Sequence, residues 1–197
     1  NAFLVWAAFS FLLAYACNAR LLVFFAVLSL SCFIAMKLGT WGGMYWISFG
    51  ERPENFLLPG VVIFLIPQIF NHKHFSGFEA IYRVMAMIIT FLPILILSNW
   101  GKISYLPWDA DFTEGFYQVL GFVLAALAIW LGIKRHWGDV VNTGNVFFIL
   151  FLYTKLFDWW WDWMPKYVFF FLLGLSALLT LLIFKRIRVG SLTKGVA

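Results

Sequence analysis

Long apolar runs, each closed by a short polar or charged break, form the main pattern along the chain. The last run is the most completely marked. Asp158-Trp159-Trp160-Trp161-Asp162-Trp163 and Met164-Pro165-Lys166 lead into a nearly unbroken apolar stretch from Tyr167 to Phe184, which Lys185-Arg186-Ile187-Arg188 closes. Trp and Tyr gather at membrane–water interfaces and Lys and Arg are retained on the cytoplasmic side, so this stretch reads as one crossing with both ends labelled. Six apolar runs precede it, over residues 2–17, 21–36, 56–70, 79–98, 114–133 and 140–157. The pattern predicts an all-α, polytopic transmembrane helical bundle of about seven spans. It divides into a transmembrane domain over residues 1–188 and a cytoplasmic tail over 189–197. The chain opens at Asn1 inside an apolar run with no basic leader, so further N-terminal helices are expected upstream.

Local signals punctuate the spans. Ala7, Ser10, Ala14 and Cys17 make a small-residue stripe on the first span, suited to close helix contact. Residues 38–55 are the longest connection. Gly39, Gly42 and Gly43 loosen it, and Trp41, Tyr45, Trp46 and Phe49 favour a position along the membrane surface. Pro59 suits the first turn of the third span, and Pro67 should kink that helix near its end. Asp111-Phe112-Thr113-Glu114 has the spacing of a capping box for the fifth span, and Asp139 that of an N-cap for the sixth. Gly121, Ala125, Ala128 and Gly132 recur at helical spacing and predict a packing face.

Composition agrees with this pattern. The chain is 63% hydrophobic and 12% charged, with mean hydropathy +0.90. Soluble domains carry about 45–50% apolar and about 25% charged residues. The charges also sort by side. Arg20, Lys73, Arg83, Lys134, Arg135, Lys185, Arg186, Arg188 and Lys194 fall on one face of the bilayer, and Lys37, Arg52, Lys102, Lys155 and Lys166 on the other. Nine bases against five places the tail in the cytoplasm of a bacterial inner membrane. The net charge of +5 is thereby an orientation signal, and no nucleic-acid partner is expected.

The chemistry left to such a chain is narrow. Proton or ion coupling needs an ionisable group at mid-depth. Arg83 and Lys155 lie near helix ends, where they can snorkel. Gln68, Thr90, Gln118, Asn142 and Asn145 fit hydrogen bonds between helices. His72, His74 and His136 all fall in inner turns, so no pair is placed to hold haem, and no Cys or carboxylate cluster completes a metal site. No cofactor, no metal and no catalytic residue is expected. Cys17 and Cys32 come out about 18 Å apart along neighbouring helices, which predicts two free, buried thiols.

Two outer segments remain. Asp109, Asp111 and Glu114 lie in one, and Asp158, Trp160 and Asp162 in the other. If the segments meet, carboxylates between aromatic rings form a ligand-binding set for a sugar or a cationic head group. The competing reading is an interfacial aromatic belt with helix-capping acids.

Several stretches carry a resemblance. Asn142-Thr143-Gly144-Asn145 precedes an apolar run and then Tyr153-Thr154-Lys155-Leu156-Phe157-Asp158. Phe169-Phe170-Phe171-Leu172-Leu173-Gly174 and Lys185-Arg186-Ile187-Arg188 follow, with Pro53 before the third span and Phe78, Tyr82 and Arg83 opening the fourth. In this order the chain resembles uncharacterised bacterial multi-pass membrane proteins of unknown function. The resemblance implies a helical membrane fold and further upstream helices, and it supplies no catalytic residue. The Trp159-Trp160-Trp161 run is richer in Trp than that pattern.

The expected role is a non-enzymatic envelope protein, either a subunit or a binder with a Trp-rich acidic periplasmic face. Its partners are the lipid bilayer and a membrane protein or a second copy of itself. The rival is a small-molecule or lipid transporter using the proline-broken third and fourth spans. A weaker rival is a lipid-linked sugar enzyme. The topology is testable with single cysteines at Lys102→Cys and Lys134→Cys in a Cys17→Ser/Cys32→Ser chain. An impermeant thiol reagent should label the first from outside and the second only after the membrane is opened, and labelling from the same side rules the topology out.

Overall fold

Each apolar run folds as a helix because a chain in hydrocarbon must satisfy its backbone N–H and C=O groups internally. The computed structural model describes residues 2–41, 52–69, 75, 77–160, 165–168, 170–176 and 178–179. Among them only helices and their turns occur. The elements are α1 (Ala2–Cys17), α2 (Arg20–Trp41), α3 (Leu57–Ile69), α4 (Phe78–Leu97), α5 (Ala110–Arg135) and α6 (Gly138–Trp160). A 3₁₀ turn at Pro53–Phe56 leads into α3, and another, Gly101–Ile103, follows α4. A further apolar helix covers Lys166–Ser176. The chain divides into two units, Asn1–Phe151 and Leu152–Ala197. The second holds the last residues of α6 and the Lys166–Ser176 helix.

Four of these helices are long and apolar enough to cross a bilayer: Arg20–Gly39, Phe78–Leu97, Ala110–Arg135 and Gly138–Phe157. A crossing takes about 20 residues at 1.5 Å per residue. Ala2–Cys17, Pro53–Ile69 and Lys166–Ser176 are apolar but shorter. Among the described residues, four helices of spanning length and three shorter apolar ones thus stand on the seven sequence runs.

In the first unit the helices alternate in direction. The Tyr15 hydroxyl, at the end of α1, lies 3.0 Å from the Tyr82 hydroxyl near the start of α4. Phe64 of α3 packs on Trp137 between α5 and α6, with ring centroids 6.4 Å apart. Arg83 of α4 reaches Asp139 of α6. These contacts gather the 1–2, 3–4 and 5–6 junctions at a basic end. At the opposite, acidic end, residues 52–55 before α3 meet residues 101–105 after α4.

The helix shared by both cores is α4. One core joins Ala14, Val23, Val27, Ile63, Phe78, Tyr82 and Ile89, and the other Phe91, Ile94, Tyr117, Ala125, Phe147 and Phe151. Over an 18-residue apolar stretch of each helix, 56% of α4 is buried, against 28% of α2 and α5 and 22% of α6, so α4 is the most buried of the four spanning helices. Helix α3 crosses it tightly at Gly60. A Cβ there would stand 2.1 Å from Thr90 Oγ1 and 3.1 Å from the Ala86 carbonyl oxygen. The predicted small-residue face of α5 also packs: Gly121 takes the Phe151 ring of α6, 2.5 Å from where a Cβ would be.

Several boundaries differ from the sequence reading. Helix α5 begins at Ala110 with Asp109 as its N-cap and no side-chain capping bond, so the capping box at Asp111 does not form. Thr113 instead returns both its N–H and its hydroxyl to the Asp109 carbonyl, at 3.0 and 2.9 Å. Asp139 lies inside α6 and turns its carboxylate to Arg83. Cys17 and Cys32 are free, but Cys17 is exposed and Cys32 half-buried, because Cys17 falls at the exposed end of the α1 stripe. Helix α2 runs on to Trp41. The Gly42–Phe49 surface segment, His72, Lys73, His74, Asp162 and the tail from 189 lie outside the described residues.

The crossing at Gly60 gives a stability test. Gly60→Ala should cost about 1–3 kcal/mol by overpacking. Gly115→Ala, where nothing stands within 4 Å, should be neutral or stabilising by up to about 1 kcal/mol. Thermal unfolding of the two variants in detergent measures both, and equal melting temperatures contradict the packing.

Candidate functional site

At the acidic end, Arg52-Pro53-Glu54-Asn55 is a clamp built around one proline. Pro53 drives the preceding residue into extended backbone, and Arg52 has φ −117° and ψ 94°. That conformation accompanies a reach across to the loop after α4. Arg52 Nη1 donates to the Ile103 carbonyl at 2.9 Å and also to the Ser104 carbonyl. Its guanidinium sits 5.1 Å over the Tyr105 ring. One residue past the proline, Glu54 Oε1 accepts the Tyr105 N–H at 2.8 Å and the Tyr117 hydroxyl at 3.5 Å. Glu54 Oε2 is buried with no hydrogen-bond partner. The Tyr105 hydroxyl donates to Asn55 Oδ1 at 3.4 Å. Charge-assisted bonds such as these are the strong ones, and together they bind the entry to α3 onto the loop between α4 and α5.

Among the described residues, the acids of the predicted ligand set have separate surroundings. Glu114 turns into its own loop and accepts the Gly101 N–H at 2.9 Å. Asp109 and Asp111 are exposed. Asp158 and Trp160 lie in the last turn of α6 and their side chains are outside the described residues, as is Asp162 altogether. What surrounds Asp109 and Asp111 is aromatic. Trp108 packs edge-on against Phe112 at 5.3 Å and Phe116 at 5.5 Å, and Trp100, Trp108 and Phe112 are exposed. Arg52, Glu54, Asn55, Tyr105 and Tyr117 are not among the site candidates drawn from the sequence, where Arg52 enters only as a base of the outer face. The signal that could have found the clamp is the pair of opposite charges flanking Pro53.

The basic end holds the second polar arrangement. Arg83 is 9% exposed and does not snorkel. Its Nε donates to Asp139 Oδ2 at 2.8 Å and its Nη2 to Oδ1 at 3.4 Å, while Nη1 lies 3.4 Å from Glu79 Oε2. The guanidinium also stands 4.7 Å over the Trp137 ring. Arg135 approaches the same ring at 5.5 Å, and Lys134 lies 5.0 Å over Trp130. The guanidinium fork suits a carboxylate and an aromatic face together.

Between the two ends, Gln68 and Thr90 bond within their own helices, and Asn145 Oδ1 is buried without a hydrogen-bond partner. Exposed Gln68 returns its amide to the Phe64 carbonyl at 3.4 Å, and Thr90 its hydroxyl to the Ala86 carbonyl at 2.8 Å. A cleft of about 190 Å³ lies among α3, α4 and α5, with Gly60, Phe64, Thr90, Phe91, Leu124 and Ala128 on its walls. Apart from Thr90 its lining is apolar, and Gln68, Pro67 and Pro93 are not part of it. Among the described residues, no three of His, Cys, Asp and Glu are grouped to hold a metal ion.

The Arg83–Asp139 pair can be dissected by mutation. Arg83→Met leaves the Asp139 carboxylate unpaired and should destabilise by about 3 kcal/mol, and adding Asp139→Leu should recover most of that loss. Denaturant or thermal unfolding of the single and double variants checks it; a single variant as stable as the parent contradicts the pair.

No protein-family model, no curated protein and no solved structure matches this chain.

Proposed function

We propose that this chain is a non-enzymatic, multi-pass subunit of a bacterial inner membrane. On this reading its tail is cytoplasmic and its acidic, aromatic end is a recognition face toward the periplasm. The occupant of that face is a membrane-protein partner or a second copy of the chain. Membership among the multi-pass proteins it resembles, and the full count of seven spans, belong to the same proposal.

One observation carries the reading. At the acidic end, Glu54 and Glu114 are taken up by backbone N–H groups, whereas Asp109 and Asp111 are exposed beside Trp108 and Phe112. Acid–base chemistry needs its groups within reach of one reacting centre, and this arrangement instead fixes a loop and presents charge and rings on its surface. Tyr and Trp are the residues that anchor interfaces, and exposed carboxylates add selectivity for a cationic counterpart. The transporter reading calls for polar groups around a mid-depth cavity. Gln68 lying outside the apolar cleft counts against that for polar solutes. The sugar-enzyme reading calls for converging carboxylates, and the separate fates of Glu114 and Asp111 count against it.

The test compares affinity purification of the parent chain from native membranes with that of a Trp108→Ala/Asp109→Lys/Asp111→Lys variant. A companion at fixed stoichiometry, or a dimer seen by light scattering, is expected with the parent. It should fall at least about tenfold with the variant, since truncating a central aromatic anchor costs about 2 kcal/mol or more. Insertion and melting temperature should not change. A companion retained equally by the variant, or a parent that purifies alone as a monomer, rejects the recognition face.

A further inference from the structure

The apolar cleft among α3, α4 and α5 lies between partly exposed walls. Val61 and Leu65 on its α3 wall are exposed, and Leu124 and Ala128 on its α5 wall are half-buried, so the cleft faces whatever surrounds the bundle. In a bilayer that surrounding is hydrocarbon. Walls left without partner atoms forfeit dispersion contacts, and an apolar void does not hold water. A flexible methylene chain is the species at hand that fills such a space. The cleft has a floor as well as walls. Ala86, Met87, Thr90 and Phe91 of α4 close its base, and Gly60 lets the α3 wall come down onto Thr90.

The cleft also leads somewhere. Leu124 and Ala128 of its α5 wall and Arg135 recur at i, i+4 and i+11, which is one face of a helix. From Leu124 to Arg135 is three turns, about 16 Å at 1.5 Å per residue. Phe64, on the α3 wall, packs against Trp137, and Arg135 stands 5.5 Å over that same ring. The route from the cleft toward the basic end therefore passes Trp137 and reaches Arg135, with exposed Lys134 beside it. Glu79 and Asp139, the acids of this end, are both engaged by Arg83. Lys134 and Arg135 make no ion pair among the described residues. An apolar seat open to the surroundings thus has two cations and an aromatic ring on the side of the basic end.

We propose that this cleft seats one acyl chain of an anionic phospholipid, with the phosphate held by Lys134 and Arg135 at the basic end. The site is separate from the acidic recognition face and does not depend on it. Only residence in a bilayer is required. Basic positions at the end of an inter-helix groove are where acidic head groups bind. The acyl chain supplies contact area without selectivity, and the two cations supply the preference for negative charge.

Native mass spectrometry of the detergent-purified chain tests this with phosphatidylglycerol and phosphatidylcholine of identical acyl chains. Each cation is expected to contribute about fivefold, so the parent should retain phosphatidylglycerol about 25-fold more tightly. Lys134→Gln/Arg135→Gln, at exposed positions that leave the core intact, should bring the two lipids to parity while leaving phosphatidylcholine retention unchanged. Ala128→Phe fills the seat and should weaken both lipids. A bimane label at Val61→Cys, in a Cys17→Ser/Cys32→Ser chain, keeps the seat testable if Ala128→Phe fails to fold. Chain-brominated phosphatidylglycerol should quench it with the same preference. Equal retention of the two lipids by the parent, an unchanged preference in the double glutamine variant, or equal quenching by both brominated lipids overturns the site. So does full displacement of phosphatidylglycerol by soluble glycerol phosphate at the same concentration, because the acyl seat would then play no part.

Discussion

Close contact along α4 is the constraint on which the rest of the first unit depends. Lipid tails are as apolar as leucine, so burial of apolar surface does little to hold membrane helices together, and packing at short range must do it. Gly60 of α3 meets Thr90 of α4 with no room for another carbon, and Gly121 of α5 packs as tightly under Phe151 of α6, whose ring in turn meets Phe91 of α4. These approaches let α4 carry one core on each side, with Tyr82 and Ile89 in one and Phe91 and Ile94 in the other. The polar groups of α4 then fall where those neighbours arrive. Arg83 stands where α6 begins, and Thr90 under the crossing with α3.

The two ends use charge in opposite ways. At the acidic end a cation and an anion on either side of Pro53 grip the backbone of another loop, so their charge is largely spent on fixing shape. At the basic end Asp139 and Glu79 take up Arg83 and leave Lys134 and Arg135 beyond them. A buried ion pair costs desolvation that its attraction only partly offsets. Its role at this end fits specificity: a pair joining α4 to α6 fixes which helix lies beside which and at what depth. Trp137, ringed by Phe64, Arg83 and Arg135, marks the same junction.

How much of this could be read from the sequence follows from distance along the chain. The helices were legible because an apolar run is a local property, and α1, α3 and α4 begin and end within a residue or two of where the hydropathy changes. The start of α5 was not. Its first turn is organised by the Asp109 carbonyl and Thr113, whereas side-chain spacing pointed to Asp111. The stripes at Ala7, Ser10 and Ala14 and at Gly121 and Ala125 were legible as faces, and the structure buries them. The site was legible only as composition. Arg52 and Ile103, or Arg83 and Asp139, are over fifty residues apart, and nothing in either local stretch names its partner. Spacing could place carboxylates in the same outer loop; it could not show that Glu114 turns inward while Asp111 stays exposed.

The turns at the basic end have a consequence for assembly. Helices α1 and α2 are joined through Asn18 and Ala19, and α5 and α6 through His136 and Trp137. Asn18 and His136 take the left-handed backbone, with φ of 49° and 56°. Links of two residues cannot admit a folded insertion or let one helix drift from the other. Each pair is therefore a hairpin set by its own short turn, so its two arms need no third helix to bring them together.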